Sequence, residues 1–198
     1  MSHTLTRNLP TAPRVGWTVA EFERLFDVGF FAPETRLELI EGEIFEKEAR
    51  EPNVAVAISL AQDVLCRIFS DGLFVRIQLP VVLGESSKPE PDLAVVVGTP
   101  RAFLESHPST ATLVVEISDT TLVTDQTTKS SLYARAGVEE YWIVNLVERT
   151  LEARRQPSPR ADALFGWDYR STQILLSGES LAPLRAPGVS VKVDELLP

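Results

Sequence analysis

Cysteine and histidine are nearly absent from this 198-residue chain: Cys66 is the only thiol, and His3 and His107 are the only imidazoles. One thiol forms no intramolecular disulfide, and one thiol with two scattered histidines cannot build a Cys/His zinc centre. Any metal is therefore to be held mainly by oxygens, and a reducing cytoplasm is the expected setting. Long apolar runs are missing too. No stretch reaches the roughly 18 residues that a membrane helix needs, and the opening MSHTLTRNLPTAPRVGW has no signal-peptide core, so neither export nor membrane insertion is expected. Positive charge is scarce, with 19 Lys and Arg against 28 Asp and Glu and a net charge of -9. Lys and Arg supply most non-specific affinity for nucleic acid, so the balance opposes a broad electrostatic footprint on DNA or RNA. Contact with DNA or RNA must be local, metal-assisted, or both.

What remains is an ordinary globular composition, 44% hydrophobic and 24% charged, at a length that suits one sizeable core. Residues 1–16, with two prolines and no periodicity, read as a flexible arm, and 17–198 as a single domain. Thr18 and Glu21 form a capping-box pattern ahead of a helix carrying Phe22, Leu25 and Phe26 on one face, with Gly29 at its stop. RLELIEGEIFEKEA alternates around Glu41-Gly42 as two short strands or one bent strand. A second helix follows Pro52, with Asn53 available as its cap, and ends at Asp71-Gly72.

Three strand-like runs come next, LFVRIQLPVVL, DLAVVV and TLVVEIS, the last two apolar enough to be covered on both faces. TDQTTKSSLYARAG reads as a helix closed by Gly137, and EYWIVNL as a buried strand that ERTLEARR continues past a bend. QPSPRADA then marks an exposed loop before the strand-like YRSTQILL and GVSVKVDELL. The whole describes an α/β fold, a mixed sheet flanked by helices, with an extra N-terminal helix and a β-rich C-terminal tail.

Asp92 opens its strand and Glu116 lies near the end of the next, so antiparallel pairing would make the two carboxylates neighbours at one rim of the sheet. An ionised Glu116 inside LVVEIS needs a compensating cation. Lys129 shares a helical stripe with Leu132, Tyr133 and Ala136, aimed at the sheet. Two carboxylates and a lysine suit phosphodiester hydrolysis: the acids hold a divalent ion that activates water, and the ammonium steadies the nucleophile or the developing charge. Oxygen ligands favour Mg²⁺ or Mn²⁺.

Pro91-Asp92 followed by Glu116 resembles the PD-(D/E)XK superfamily of restriction endonuclease-like nucleases. ELIEGEI, PEPDLAVVV, LVVEIS, the Asp125 to Lys129 spacing and YARAGVEEYWIVN together resemble more closely its branch called Uma-two, from about residue 17 to the C-terminus. The resemblance implies a restriction endonuclease-like core, a DNA substrate, a homodimer, and Asp92 and Glu116 as the metal-binding acids. Ser118 stands at the usual lysine position, which makes the helix-borne Lys129 the matching lysine. An auxiliary acid near the start of the fold is also implied, with Glu38 and Glu43 as the choices. Asn53 departs from the histidine that members frequently carry there.

Structural roles compete for each of these residues. Glu116 could pair with an arginine, and Lys129 could snorkel past an apolar face. Asp125 reads as an acid that caps or opens the helix, Tyr133, Tyr141 and Trp142 as core or interface aromatics, Cys66 as a small apolar filler, and His107 as a loop residue. Arg154, Arg155 and Arg160 could touch phosphate or sit at a solvated hairpin tip. The rivals to a nuclease are a non-catalytic binding or assembly module on the same fold and a glycosidase-type acid pair. A lysine aimed at the acids and the few aromatics available to stack sugars argue against the glycosidase.

Overall fold

The capping box forms as the sequence indicates: the Glu21 amide donates to Thr18 Oγ1 at 3.2 Å and the Thr18 amide to Glu21 Oε2 at 2.9 Å, opening helix α1, Val19–Asp27. The computed structural model describes residues 16–32, 34–47, 51–70 and 72–198, so the expected N-terminal arm and Asp71 lie outside the described residues except at Gly16. Strands β1 (Leu37–Ile40) and β2 (Glu43–Glu46) form an antiparallel hairpin whose turn residues Glu41 and Gly42 both take positive φ, as a two-residue hairpin turn requires.

Helix α2, Pro52–Ile68, buries Ala57, Ile58, Ala61, Val64 and Leu65 along one stripe. Its cap differs from expectation. Glu51 occupies the N-cap without a side-chain bond and Pro52 presets the first turn, which places Asn53 already inside the helix. Asn53 instead accepts from the Val54 amide and donates to Asp119 Oδ2 at 3.0 Å. Cys66 is exposed rather than a core filler, because it stands one helical step beyond Leu65 and off the stripe.

The central sheet has six strands in the order β3-β4-β5-β6-β7-β8. They are β3 Leu73–Ile77, β4 Leu93–Val97, β5 Leu113–Ser118, β6 Glu140–Asn145, β7 Thr150–Pro159 and β8 Trp167–Leu176. All neighbours are antiparallel except β5 and β6, which are parallel. A parallel pair needs a crossover, supplied here by α3 (Leu122–Thr124), a π-helical stretch (Asp125–Lys129) and α4 (Ser130–Arg135), continuous with one another. Helix α2 packs on one face of the sheet with Leu93, Val95, Leu113 and Val115, while Leu132 and Tyr133 of α4 pack on the other with Ala94, Val96 and Val114. The mixed sheet covered by helices on both faces is the architecture read from the sequence.

Several strand boundaries are corrected. QLPVVL does not extend β3, because Gln78 turns to positive φ and Pro80 follows. ERTLEARR is a new strand, β7, folded back on β6 after a turn at 146–149. QPSPRADA is not a loop throughout, since β7 continues to Pro159, with Pro157 opposite Tyr169 and Pro159 opposite Trp167. The two prolines are tolerated because β6 pairing stops at Arg155↔Glu140, leaving that side of β7 with no ladder to break. GVSVKVDELL contributes only β10, Val191–Lys192, paired with β9, Ser180–Leu181, before a 3₁₀ turn.

Candidate active site

Leu93 pairs with Val115 and Ala94 with Val114, so the next step outward on each strand sets Asp92 across from Glu116. Both are buried, Asp92 at 7% exposure and Glu116 at 2%. Asp92 is anchored by the Ile117 amide, which donates to its Oδ2 at 2.9 Å. The crossover helix lies over this rim and delivers Lys129, whose Nζ sits 3.0 Å from Glu116 Oε1 and 3.4 Å from Asp125 Oδ1. Tyr133, one turn on, donates its hydroxyl to the same Glu116 Oε1 at 2.8 Å.

These groups open into a cleft of about 320 Å³ whose lining includes Glu38, Asp92, Glu116, Asp125 and Lys129, with Arg36 and Lys47 beside them. Glu38 is buried on β1 and accepts a long hydrogen bond from the Glu90 amide at 3.4 Å. Glu43, on β2, is exposed and does not line the cleft. Of the two acids open from sequence, Glu38 is the one brought to Asp92, Glu116 and Lys129.

Burial, reinforced by the Glu116 charge, pushes the Asp92 carboxyl above the ordinary range. Burial likewise pushes Asp125 up to about 6, with Lys129 pulling the other way. Burial works against the Lys129 ammonium, but Glu116, Glu38 and Asp125 outweigh it and hold its pKa well above normal. Burial and Glu116 also raise the Tyr133 hydroxyl well above normal. Lys129 and Tyr133 therefore stay protonated near neutral pH and act as donors, not as bases.

The sequence model of the Uma2 family, described as "Putative restriction endonuclease", matches residues 19–194. The chain belongs to the Uma2 family. A search of curated proteins found no match. Among solved structures, the Uma2 chain resembles one described as a putative nuclease belonging to DUF820 from Anabaena variabilis. The two share 17% sequence identity at a TM-score of 0.67, over 91% of this chain and 97% of that one, a likeness of fold.

Within this Uma2 chain, the metal question turns on the donor set. Among the described residues no group of three or more His, Cys, Asp or Glu side chains is arranged to hold an ion. What stands at the rim is a pair of hard carboxylates, Asp92 and Glu116, close enough for one to raise the pKa of the other. That fits Mg²⁺, which is commonly bound through one or two carboxylates while its remaining positions stay with water or substrate phosphate. It does not fit a closed zinc cage.

Two site neighbours escaped the sequence reading. Asp125 is no helix-opening acid: it closes α3, is 1% exposed, and accepts from Thr121 Oγ1 at 2.7 Å while pairing with Lys129. Tyr133 is a core aromatic as expected, yet its hydroxyl belongs to the site. The available signal was the four-residue step Asp125-Lys129-Tyr133, which places three polar groups on one helical face. The basic cluster splits, and only Arg160 keeps the hairpin-tip reading, at the end of β7 where the chain turns toward β8. Arg154 is 9% exposed and bonded to Glu152, Arg155 pairs with Glu140, and of the three Arg160 alone is solvent-exposed, bridging Asp162 and Asp168. His107 is half-buried in its loop and shares a 3.0 Å contact with Arg76.

Proposed function

We propose that this Uma2 chain is a divalent-metal-dependent endonuclease that hydrolyses phosphodiester bonds in DNA. Asp92 and Glu116 hold Mg²⁺ or Mn²⁺, Lys129 is the catalytic cation, and Glu38 is the auxiliary acid. The carrying observation is the register that sets Asp92 across from Glu116, with Lys129 3.0 Å from Glu116. Bound there, the ion would polarise the phosphate and lower the pKa of a water molecule.

The protein's own residues do the rest. Lys129 keeps its proton and donates to the attacking water or to a phosphate oxygen as negative charge develops. Tyr133 fixes one Glu116 oxygen and leaves the carboxylate oriented toward the cleft. The Ile117 amide does the same for Asp92. Seven carboxylates and three basic side chains line the cleft, so a phosphodiester approaches it favourably only with bound cations. This favours metal dependence over a purely protein-based mechanism. A pairing of two copies, one site per DNA strand, completes the proposal.

The test is nicking of supercoiled plasmid and cleavage of single-stranded DNA with Mg²⁺ or Mn²⁺, comparing wild type with Asp92→Ala. Calorimetric titration of Mn²⁺ and light scattering for subunit number accompany it. Metal-dependent cutting by wild type, lost together with Mn²⁺ binding in a folded Asp92→Ala, is the expected result. Absence of both Mn²⁺ binding and cutting in folded wild type would favour the non-catalytic module instead.

A further inference from the structure

The crossover helix changes register where it passes the site. Between Asp125 and Lys129 it is π-helical, and the Ser130 amide reaches back to the Asp125 carbonyl, five residues away, as well as to Thr127. A π turn is one residue inserted into an α-helix. At 3.6 residues per turn, that insertion rotates everything after it by about 100° relative to Leu122–Thr124. Lys129 is the last residue of the inserted turn, and Tyr133 lies beyond it.

An inserted turn loosens the carbonyls within it, and here two side chains of the sheet catch them. Tyr141 on β6 donates its hydroxyl to the Asp125 carbonyl at 3.1 Å. Arg154 on β7 donates Nη1 to the Gln126 carbonyl at 2.8 Å and to Ser130 Oγ at 2.9 Å. Tyr141 and Arg154 are direct cross-strand partners, so a single rung of the sheet holds consecutive carbonyls of the helix. Arg154 is itself held by Glu152 Oε2 at 2.9 Å, and the other Glu152 oxygen accepts from the Gln126 side chain. Ser130 Oγ passes the chain of bonds on to Asp168 at 2.8 Å.

We infer that the Tyr141–Arg154 rung is a positioning device: by stabilising the π register it sets the phase that carries Lys129 to Glu116 and Asp125. Neither residue touches the cleft, and neither is a catalytic residue; both act through Lys129. The inference rests on the reading of Lys129 as the catalytic cation, but its geometric content does not require that the chain cut DNA.

The experiment therefore has two arms on the full chain, with Arg154→Met and Tyr141→Phe against Arg155→Met. Arg155 adjoins Arg154 on β7 and points to the opposite face, where it makes a comparable ion pair with Glu140, so Arg155→Met controls for general loss of stability. The first arm measures acylation of Lys129 by an N-hydroxysuccinimide acetate, read by mass spectrometry relative to exposed Lys192. Arg154→Met is expected to speed Lys129 labelling about tenfold through local opening of the helix, Tyr141→Phe less, and Arg155→Met not at all. The second arm measures plasmid nicking and Mn²⁺ affinity. Misplacement of Lys129 is expected to lower kcat about 100-fold in Arg154→Met with KM and Mn²⁺ affinity kept, a split that unfolding does not produce. Wild-type labelling of Lys129 in Arg154→Met, or equal acceleration in Arg155→Met, overturns the inference. If wild type cuts no DNA, the nuclease reading fails and the labelling arm alone still decides this one.

Discussion

Replacing Lys129 by methionine keeps most of the side-chain volume and removes one charge from the middle of a buried acidic cluster. The ammonium lies 3.0 Å from Glu116 and 3.4 Å from Asp125, both almost completely buried. At an effective dielectric of about 20, each separation corresponds to roughly 5 kcal/mol of attraction, much of it offset by the desolvation of all three groups. Removing one partner forfeits the attraction without restoring the hydration. The expected loss is about 3–5 kcal/mol, a large share of a typical domain stability of about 5–15 kcal/mol.

The loss should also depend on pH. Asp125 already titrates near 6 with Lys129 beside it, and without the ammonium its folded-state pKa rises further. The folded variant then holds protons that the unfolded chain has released, so the deficit is largest at pH 7.5 and shrinks as pH falls toward 5. Urea denaturation of wild type and Lys129→Met at both values measures it, and Asp125→Asn/Lys129→Met should recover part of the deficit. A deficit within about 1 kcal/mol at pH 7.5, the value of an exposed ion pair, would refute the account of Lys129 as the buried counter-charge. The same arithmetic means that a lost nuclease activity in Lys129→Ala informs on catalysis only when the folded fraction is measured beside it.

Asp125→Asn alone should flatten one part of the pH profile of stability. With a folded-state pKa of about 6 against 3.8 for the ordinary group, wild type loses up to about 3 kcal/mol relative to Asp125→Asn as pH rises from 4 to 7, read by urea midpoints across that range. Gly42→Ala should destabilise the β1–β2 hairpin: its φ is +78°, and a Cβ there would meet Gly16 Cα at 2.7 Å, next to the Trp17 amide that donates to the Gly42 carbonyl. A loss of about 2 kcal/mol is expected, visible as a lowered Tm, and an unchanged Tm would show that the close approach of Gly16 is not maintained in solution.

The two acids across from each other were legible as a conditional: Asp92 precedes one apolar run and Glu116 lies near the end of the next, so antiparallel pairing makes them neighbours, although the connection over 98–112 is long enough to allow either direction and the pairing itself is a tertiary outcome. The lysine was legible from its helical stripe, although a regular α-helix was the expectation and the π turn was not. Nothing in DQTTK announces an inserted residue, because its donors, Tyr141 and Arg154, come from strands later in the chain. The choice between Glu38 and Glu43 was likewise tertiary: the register sets Glu38 across from Phe45 and Ile40 across from Glu43, so both acids share one face of the hairpin, and where the cleft lies along that face decides between them. The prolines of β7 misled for a related reason. Proline forbids a ladder only on the side where a neighbour needs its amide, and sequence does not show where β6 stops.

The double covering of β4 has a bearing on how faithfully the two acids keep station. A slip of one residue between β4 and β5 would turn Asp92 to the opposite face. It would also drive Leu93 and Val95 out of the α2 side and into the space fitted to Ala94 and Val96, while those smaller or differently shaped residues left voids behind. Both layers of apolar packing thus resist the same error. The precision of the cleft is guarded by side chains that never face it, and a cavity-forming change at Val95 or Val115 should loosen the acid pair from a distance before it unfolds the chain.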